Sequence, residues 1–343
     1  MKTHQVQQKT ERRISAALRL VFVAALLLGQ IALAFFLSTE LRQRAAIIYT
    51  VLELAAFGYA VRIYNRTDGT SYKFGWIFLV LTVPVVGLIL YFLWNGDRQQ
   101  KRLDLKKLPM PEEPEAQQAA HRIQMEKLRR KFPQWERLSV YLSRQGYLLY
   151  GDTETTYLPT GEVFLQDMLE KLEQAEHFIF LEFFIIAQGQ IWDRMTEIFR
   201  RKAAEGVEVK IIFDDFGSMM RLPAEQIEAL RESGVEVQIF NPVHHYVNRL
   251  YFNYRDHRKI VCIDGSTAYT GGANVADEYA NLTVRFGYWK DCGIRLDGPG
   301  AWGLTREFLH MWQRNGGQLM QERDYYRPHD HREAAGFCQN SAA

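Results

Sequence analysis

Long apolar runs dominate the first quarter of the chain. The stretch 14–37 holds a single charge, a second run at 45–61 contains only Glu53, and a third at 74–94 has no charge at all. About 20 consecutive apolar residues are enough for a helix to cross a bilayer. The pattern therefore predicts a transmembrane anchor of about three hydrophobic helices over residues 1–96.

The third run has the features of a membrane helix. Trp76, Tyr91 and Trp94 stand near its ends, where amphipathic rings favour the headgroup region. Pro84 and Gly87 lie inside it, and both residue types are tolerated in membrane helices. We expect this run to cross the membrane as one helix.

The number of crossings is open at the level of sequence. A basic N-terminus before an apolar stretch is also typical of a secretory signal peptide, and Lys2, Lys9, Arg12 and Arg13 precede the first run. The positive-inside rule places that terminus and the basic segment 98–107 on the cytoplasmic side, which requires an even number of crossings. Three spans give an odd number. Either the second run is re-entrant or interfacial, or one flank breaks the rule.

A charged connector separates the apolar region from the rest of the chain. Residues 97–150 contain the basic cluster at 98–107 and a proline-marked linker, and 115–145 is predicted to form one or two amphipathic helices split at Pro133. A basic segment just after an apolar run can contact anionic lipid headgroups. A solvated run of charges is equally compatible with the sequence.

Helices and strands alternate from residue 151 onward. Short runs rich in β-branched or aromatic residues indicate strands, and longer amphipathic runs indicate helices. The predicted helices are 162–174, 191–204 and 223–233, and the predicted strands are 177–186, 207–213 and 235–240. This order predicts an α/β lobe over residues 151–330, with a mostly parallel or mixed sheet and helices on both faces, followed by a short tail at 331–343. Reactive groups of such folds collect at the carboxyl ends of the strands.

Composition narrows the classes of partner. Lysine and arginine total 42 and acidic residues 40, so the net charge of +2 gives no reason to expect nucleic acid. The three cysteines are too few and too scattered for a disulfide framework or a metal site, and we expect free thiols. The chemistry must therefore come from other side chains.

One short segment carries the chemistry. His257 and Lys259 stand two residues apart at the start of an apolar strand, and Asp264 follows at its end. Residues two apart in a strand point to the same face, so the imidazole and the ammonium group can meet one ligand. The lysine can neutralise phosphate oxygens while the neutral imidazole attacks phosphorus. Asn274 can add a neutral donor, and Gly272 lets the backbone approach a phosphate closely.

Two charged residues in apolar strands require an explanation. A strand histidine is more often a satisfied core residue, but Lys259 on the same face would then be a buried charge without a role. Glu182 lies inside the apolar strand 177–186 and raises the same question. A role in the site and a buried ion pair are both open for Glu182.

The flanking residues add specificity to this motif. The segment from His257 to Gly265 reads H-x-K-x4-D-G, a G-G-x-N segment ends at Asn274, and a W-K-D segment ends at Asp291. This arrangement resembles the phospholipase D superfamily. Together with the S-Y-K-F-G-W segment at 71–76 in the apolar region, it resembles the bacterial cardiolipin synthases in particular.

The resemblance implies a phosphatidyltransferase that joins two phosphatidylglycerol molecules into cardiolipin and releases glycerol, without a metal or another cofactor. It implies that His257 becomes a covalent phosphohistidine and that Lys259 binds phosphate. Asp264 completes the catalytic motif as its least chemical member, usually a structural partner. Asp291 is expected to orient the histidine, with its carboxylate within hydrogen-bond reach of the ring. The resemblance also implies a multi-pass protein of the bacterial cell membrane.

The sequence departs from the family in one respect. The family has two such motifs in one chain, and the second histidine is expected to protonate the leaving alcohol and to activate the acceptor. Each of the other histidines in this sequence lacks a lysine two residues later. The chain therefore looks like the first half of a synthase, which needs a second lobe or a homodimer, and we expect negligible phosphatidyl transfer by the monomer.

Two further functions stay open. One is a phosphodiesterase of the same superfamily in which two chains each supply one motif. The other is a catalytically inactive membrane protein that binds anionic lipid. The near-neutral charge and the apolar runs argue against nucleic acid as the substrate of either.

Overall fold

The chain divides into a helical unit and an α/β lobe. The computed structural model describes residues 42–66, 70–94, 115–242, 255–285, 287–318, 325–326 and 336–340, together with several helical residues between 21 and 35. Most of the first predicted span, the basic segment 98–107 and most of the tail at 331–343 lie outside the described residues. The helical unit contains the described residues up to 94, and the lobe contains those from 115 onward.

Helix α1, Arg42–Tyr64, coincides with the second apolar run. Its part Ile47–Tyr64 has 18 residues and is the one helix, within the described part of the chain, that is long and apolar enough to cross a membrane. At 1.5 Å per residue it extends over about 27 Å, close to the ~30 Å of a hydrocarbon core. The run that the sequence leaves open as re-entrant is therefore the strongest candidate span in the structure.

The third apolar run forms a hairpin and not a single helix. Helix α2 covers Thr70–Thr82, and helix α3 covers Pro84–Trp94. The ring centroids of Trp76 and Tyr91 lie 5.5 Å apart, although a continuous helix would separate these residues by about 22 Å. The two helices are therefore antiparallel, and each arm is shorter than the ~20 residues that a membrane-spanning helix needs.

Pro84 and Gly87 explain why the prediction of one continuous span is wrong. Proline has no N–H for the helix ladder, and its ring collides with the carbonyl of the fourth residue before it. Gly87 lets the second arm pack directly on the first, because a Cβ at this position would lie 2.5 Å from the Leu79 carbonyl oxygen. Tyr91 extends the packing to α1, where the Tyr59 ring meets it edge to face at 6.3 Å between centroids.

The lobe begins with two helices joined by a short turn. Helix α4 covers Glu115–Lys131, a 3-10 turn covers Pro133–Trp135, and helix α5 covers Glu136–Arg144. The predicted split at Pro133 is confirmed. Proline favours the first position of a new helical turn because its missing N–H has no intrahelical partner there.

The remaining elements alternate between strands and helices. The strands are β1 Glu154–Leu158, β2 Phe178–Phe183, β3 Glu208–Asp214, β4 Glu236–Phe240, β5 Lys259–Ile263, β6 Thr267–Gly271 and β7 Gly293–Asp297. The helices are α6 Gly161–Leu172, α7 Gln190–Ala204, α8 Asp215–Ser218, α9 Ala224–Glu232 and α10 Ala301–Arg314. The helices and strands predicted between 162 and 240 are all present.

The strands form one mixed sheet in the order β1-β7-β6-β5-β2-β3-β4. Strands β2, β3 and β4 are parallel, whereas every other pairing in the sheet is antiparallel. Of the two predicted forms of the sheet, mostly parallel or mixed, the mixed form is confirmed. Asp264 and Gly265 contribute to the antiparallel part, because they adopt φ angles of +53° and +67° and return the chain in a tight hairpin that places β6 beside β5.

Helices cover both faces of the sheet, as predicted. Helices α6, α7 and α9 pack over one face, which includes Ile179 and Leu181 of β2. Helix α10 packs over the other face, where the Phe180 ring stacks on Phe308 with 4.7 Å between centroids. Because β2 side chains alternate between two apolar layers, the strand is apolar along nearly its whole length.

Strand β5 begins at the carboxyl edge of the parallel strands. It runs antiparallel to β2, so Lys259 at its start pairs with Phe183 at the end of β2. The segment containing His257 therefore reaches the edge of the sheet at which reactive groups collect in such folds.

The opposite end of β5 is fastened by Asp264. Its carboxylate accepts hydrogen bonds from three backbone N–H groups, those of Glu176 (2.9 Å), His177 (2.7 Å) and Phe178 (2.8 Å). An ionised carboxylate makes stronger hydrogen bonds than a neutral acceptor. This clasp fixes the entry of β2 against the end of β5.

We predict that cysteines replacing Trp76 and Tyr91 can be joined by a short flexible bis-maleimide. The experiment uses membranes from a variant in which the three native cysteines are replaced by serine. Each single-cysteine variant serves as the control. A hairpin gives an intramolecular cross-link in the double variant only, whereas a continuous helix would hold the two thiols too far apart for reaction.

We predict that Asp264→Ala destabilises the lobe strongly. The alanine variant loses the carboxylate that accepts all three of these hydrogen bonds. This loss lowers the free energy of unfolding by about 3 kcal/mol, which corresponds to a fall in Tm of roughly 6–12 °C. Thermal unfolding in detergent, followed by near-ultraviolet circular dichroism, measures the shift. Asp264→Asn keeps one acceptor oxygen and should lose clearly less. Equal Tm values for both variants and the parent chain would contradict the clasp.

Candidate active site

A short segment before β5 is held against the ends of β3 and β4. The Asp214 carboxylate, at the end of β3, accepts from the Asp256 backbone N–H at 2.9 Å and from Arg255 Nη1 at 3.2 Å. Arg255 Nη1 also donates to the Asn241 carbonyl oxygen at 3.0 Å. The backbone just before His257 is thereby fixed before the strand begins.

His257 and Lys259 are brought together as their spacing predicts. Lysine Nζ lies 3.2 Å from His257 Nδ1 and donates to the His257 carbonyl oxygen at 2.5 Å. The histidine is exposed, whereas the lysine is buried, so only one of the two presents its side chain to solvent. The half-buried Phe184 ring lies 4.8 Å from the imidazole between centroids and 5.6 Å from Lys259 Nζ.

The surroundings lower the pKa of both residues. Burial lowers the pKa of Lys259 to about 8, against the opposing attraction of the Asp256 and Asp291 carboxylates. Burial also lowers the pKa of His257, and the neighbouring Lys259 charge lowers it further, while Asp256 opposes both. A neutral imidazole beside an ammonium group is therefore favoured near neutral pH.

The motif opens into a cleft of about 730 Å³ between the sheet edge and α10. Its lining contains three arginines, a lysine and two histidines, which come from the motif segment and from α10. The residues that line it include Arg255, Asp256, His257, Arg258, Lys259, Gly271, Gly272, Leu304, Glu307, His310, Met311 and Arg314. Such a set can bind an anionic group beside the exposed imidazole.

Arg258 is the centre of a buried charge cluster beneath the motif. Its guanidinium lies 2.6 Å from a Glu182 oxygen, 3.1 Å from Asp256 and 3.3 Å from Glu307. The Glu182 contact has ion-pair distance but not the angle of a hydrogen bond. Burial alone would lower the pKa of Arg258, but the three carboxyl groups outweigh it and raise that pKa.

Glu182 takes the role of a buried ion-pair partner. It is fully buried on β2 and is not among the residues that line the cleft. Burial raises the pKa of Glu182 well above its usual range, Arg258 opposes this, and Asp256 adds to it. Burial and the neighbouring carboxyl groups therefore oppose the ionised form of Glu182, and the Arg258 guanidinium stabilises it.

Asp291 lies near the motif but does not bond to the imidazole. Its Oδ1 accepts from the Cys292 backbone N–H at 2.8 Å, and no hydrogen bond joins it to His257 within the described part of the chain. A side chain on Gly272 would collide with the Asp291 carboxylate. The prediction that Asp291 lies within hydrogen-bond reach of the ring is therefore wrong: the carboxylate acts on the pKa of Lys259, and Gly272 leaves room for it.

Asn274 is committed to the loops around the site. Its Oδ1 accepts from the Ile185 backbone N–H at 3.0 Å, and its Nδ2 donates to the Tyr279 hydroxyl at 2.8 Å. The side chain is buried and does not line the cleft. The structure therefore gives Asn274 a positioning role in the place of the predicted phosphate donor.

Asp264 is not at the site. The whole of β5 separates it from the motif lysine, a distance of about 17 Å at strand rise. Its oxygens are occupied by the backbone clasp at the start of β2. Placing Asp264 among the catalytic residues is therefore wrong, and its structural role within the motif is the one that the geometry supports.

Several residues of the site are missed by sequence reasoning. Arg258 has the same strand parity as Ile260, which marks it as a charge on the apolar face toward α10, and Glu182 is its partner in the neighbouring strand. This pairing is readable once the register is known. Glu307 and His310, which come from α10, give no comparable signal in the sequence.

Comparisons with known proteins match both parts of the chain. Residues 168–284 match a family described as cardiolipin synthase, PLD-like domain, and residues 54–95 match the phospholipase D-nuclease N-terminal family. Among solved structures, the phospholipase D family member Nuc from Salmonella typhimurium aligns with 48% of this chain and 92% of its own, at 17% identity and a TM-score of 0.34.

Bacterial relatives align with about three quarters of the chain. An uncharacterized protein of Streptococcus mutans is 38% identical over 74% of this chain and 55% of its own length. Cardiolipin synthase 2 of Bacillus anthracis is 32% identical over 76% and 50%, and the major cardiolipin synthase of Bacillus subtilis is 30% identical over 73% and 53%. The chain thus spans about half the length of the curated relatives it matches. Residues 168–284, which carry His257 and Lys259, are similar to the phospholipase D-like domain of cardiolipin synthases.

Proposed function

We propose that this chain provides one half of a membrane-bound phosphatidyltransferase that converts two phosphatidylglycerol molecules into cardiolipin and glycerol. The observation that carries the proposal is the exposed His257 imidazole, 3.2 Å from the Lys259 ammonium group, at a cleft lined by arginines. The similarity to cardiolipin synthases supplies the substrate class. Ile47–Tyr64 is the proposed membrane crossing within the described residues.

In the proposed reaction, His257 Nε2 attacks the phosphorus of phosphatidylglycerol. A phosphorus–nitrogen bond forms, the bond between phosphorus and the glycerol oxygen breaks, and the glycerol oxygen takes a proton. A hydroxyl group of the second phosphatidylglycerol then attacks phosphorus, loses its proton, and releases the histidine. No redox change occurs, and each step exchanges one bond to phosphorus for another.

Lys259 has two tasks in this scheme. A protonated Lys259 donates to Nδ1 at 3.2 Å, which places the proton of the neutral ring on Nε2. A substrate phosphate competes for the same ammonium group, and the ring proton can then move to Nδ1. The Nε2 lone pair becomes free as the phosphate charge is neutralised.

A second histidine supplies the proton donor in this proposal. The sequence contains one H-x-K-x4-D segment, and the scheme needs an acid at the leaving oxygen and a base at the incoming hydroxyl. We assign both tasks to a histidine of a second motif-bearing lobe or of a second copy of this chain. His310 lines the same cleft and is the competing candidate within this chain.

Exposed apolar side chains on the loops after β3 and before β7 support the need for a second lobe. Phe216, which packs against Arg255 at 5.3 Å from its ring centroid, is exposed, as are Met220 and Val284. Two ion pairs from Glu278, to Arg221 and Arg285, link the loops that carry the last two. Exposed large apolar side chains around a catalytic cleft are typical of a surface that another surface covers.

We predict that the chain alone reacts once with an activated ester but does not turn over lipid. A p-nitrophenyl phosphodiester needs no acid because nitrophenolate is a good leaving group, so the chain should release one equivalent of nitrophenolate and retain phosphate on His257. Labelled phosphatidylglycerol should give no cardiolipin under the same conditions, since general acid–base help is worth about 100- to 10,000-fold. Mass spectrometry of the trapped phosphoenzyme and lipid chromatography measure the two outcomes.

Three comparisons make this test specific. His257→Ala should abolish the burst, whereas His310→Ala should leave it unchanged. Forced dimers, or a second motif-bearing lobe added in trans, should start cardiolipin synthesis. Cardiolipin formation by a verified monomer would contradict the second-lobe assignment. If the His310→Ala variant of that monomer no longer formed cardiolipin, the acid role would belong to His310. A parallel assay with plasmid DNA separates a nuclease, and the absence of any burst would indicate an inactive lipid-binding protein.

We predict that the second-order rate constant of the burst falls above pH about 8, where Lys259 loses its proton. The opposite limb lies below pH 6.5, because the pKa of His257 is lowered from that value and protonation removes the nucleophile. The rate should therefore rise on leaving acid pH, reach a plateau, and fall about tenfold per pH unit on the alkaline side.

Lys259→Arg is the matched variant for this profile. A guanidinium stays charged throughout the range, so the alkaline limb should disappear even if the plateau is lower. An unchanged alkaline limb in this variant would show that another group is responsible.

A further inference from the structure

The surface of α4, the 3-10 turn and α5 is strongly basic. Residues 115–145 carry seven arginines and lysines against three glutamates, a net charge of +4, while the whole chain carries only +2. Arg129 and Arg130 are paired with Glu126 and Glu136 on the surface. The excess charge therefore resides on the other basic side chains of these helices.

Four of those cations are solvent-exposed and unpaired. Arg122 and Lys127 on α4, and Arg137 and Arg144 on α5, make no ion pair with any other described residue. Arg122 and Lys127 lie on one face of α4 with Ile123 between them. These cations are free to meet an external anion.

Large apolar side chains are exposed among the cations. Trp135, Leu138 and Tyr141 are 56%, 51% and 61% exposed, and Ile123 is 58% exposed. The first three are spaced three residues apart, so they follow one side of the turn and α5. Single exposed apolar residues are ordinary, but a tryptophan, a tyrosine and two aliphatic residues among the cations of two joined helices form an unusual outer surface.

The opposite side of these helices is fastened to the lobe. The Ser139 hydroxyl donates to Gln339 Oε1 at 2.7 Å, and Gln117 Oε1 on α4 accepts from the Trp302 indole of α10 at 3.2 Å. His121 Nδ1 accepts from the Leu149 backbone N–H at 2.9 Å. The exposed face is therefore a fixed surface on the α10 side of the sheet and not one side of a detached helix.

We propose that the outer surface of α4 and α5 docks on an anionic phospholipid bilayer. Trp135, Leu138 and Tyr141 enter the headgroup region, where aromatic rings are favoured, and the four unpaired cations meet lipid phosphates. A protein is the competing occupant, because arginine and aromatic residues are also enriched at protein–protein interfaces. The net charge of +4 over residues 115–145 favours the anionic bilayer. This docking is independent of the proposed reaction.

The tether between the two units permits this contact. Residues 95–114 separate Trp94 at the end of α3 from Glu115 at the start of α4, and a segment of that length can reach up to about 70 Å. The docking adds a second attachment of the lobe to the membrane beyond the tether itself.

The experiment places a spin label at Leu138→Cys in the full chain, reconstituted in nanodiscs. Cys292→Ser and Cys338→Ser remove the two accessible native thiols, while Cys262 is buried. The control label is at Val163→Cys, an exposed apolar position on α6, which packs on the opposite face of the sheet from α10. Collision with oxygen and with a water-soluble nickel chelate reports whether each label is in lipid or in water.

Docking predicts that the label at 138 is accessible to oxygen and protected from nickel in phosphatidylglycerol nanodiscs. The label at 163 should be accessible to nickel in every lipid. Replacing Arg122, Lys127, Arg137 and Arg144 by glutamine should lower the ratio of docked to free label about fivefold per charge. Raising the salt concentration on the parent chain should shift the ratio in the same direction without any mutation.

Three outcomes would overturn the proposal. The first is that the label at 138 is fully accessible to nickel in phosphatidylglycerol nanodiscs. The second is that its protection from nickel is identical in phosphatidylcholine nanodiscs and insensitive to salt. Protection that persists in detergent without lipid would assign the surface to a protein contact, a second copy or another lobe.

Discussion

The site depends on the burial of one charge that cannot be neutralised. Arg258 keeps its proton in any protein environment, so its burial requires carboxyl groups around it, and Glu182, Asp256 and Glu307 provide them. They come from β2, from the segment before β5 and from α10, which ties three parts of the lobe to a single guanidinium. Arg258 stands between His257 and Lys259 in the chain. Holding the Arg258 side chain on one side of the strand therefore holds the side chains of His257 and Lys259 on the opposite side.

The spacing between the lysine and the aspartate of the motif matches the length of strand β5. Lys259 and Asp264 stand at the two ends of β5, one at the edge where chemistry is possible and the other at the edge where β2 begins. The four residues between them are the strand itself, apolar on both faces because both faces are covered. A longer or shorter gap would move either the lysine from the cleft or the carboxylate from its three backbone partners.

The sequence predicts the order of helices and strands between residues 162 and 240, the proximity of His257 and Lys259, and the buried charge at Glu182. It does not predict that Asp291 would face Lys259 in place of His257, because that depends on the close packing of β6 against β7 around Gly272. It also misses α10 as a wall of the cleft, since nothing local in that helix distinguishes Glu307 from an ordinary surface glutamate. The prediction that the third apolar run forms one membrane-spanning helix is wrong, because apolar composition alone cannot distinguish a long helix from two short antiparallel ones.

The hairpin of α2 and α3 bears on whether the number of membrane crossings is odd or even. Its two arms are antiparallel, as the contact between Trp76 and Tyr91 requires, so a hairpin inserted in the bilayer would contribute no net crossing. A chain that crosses the bilayer at the predicted first span and at α1 would carry the basic N-terminus and the basic segment 98–107 on the same side. The conflict with the positive-inside rule then disappears, and a proline placed in the middle of an apolar run is the residue that removes it.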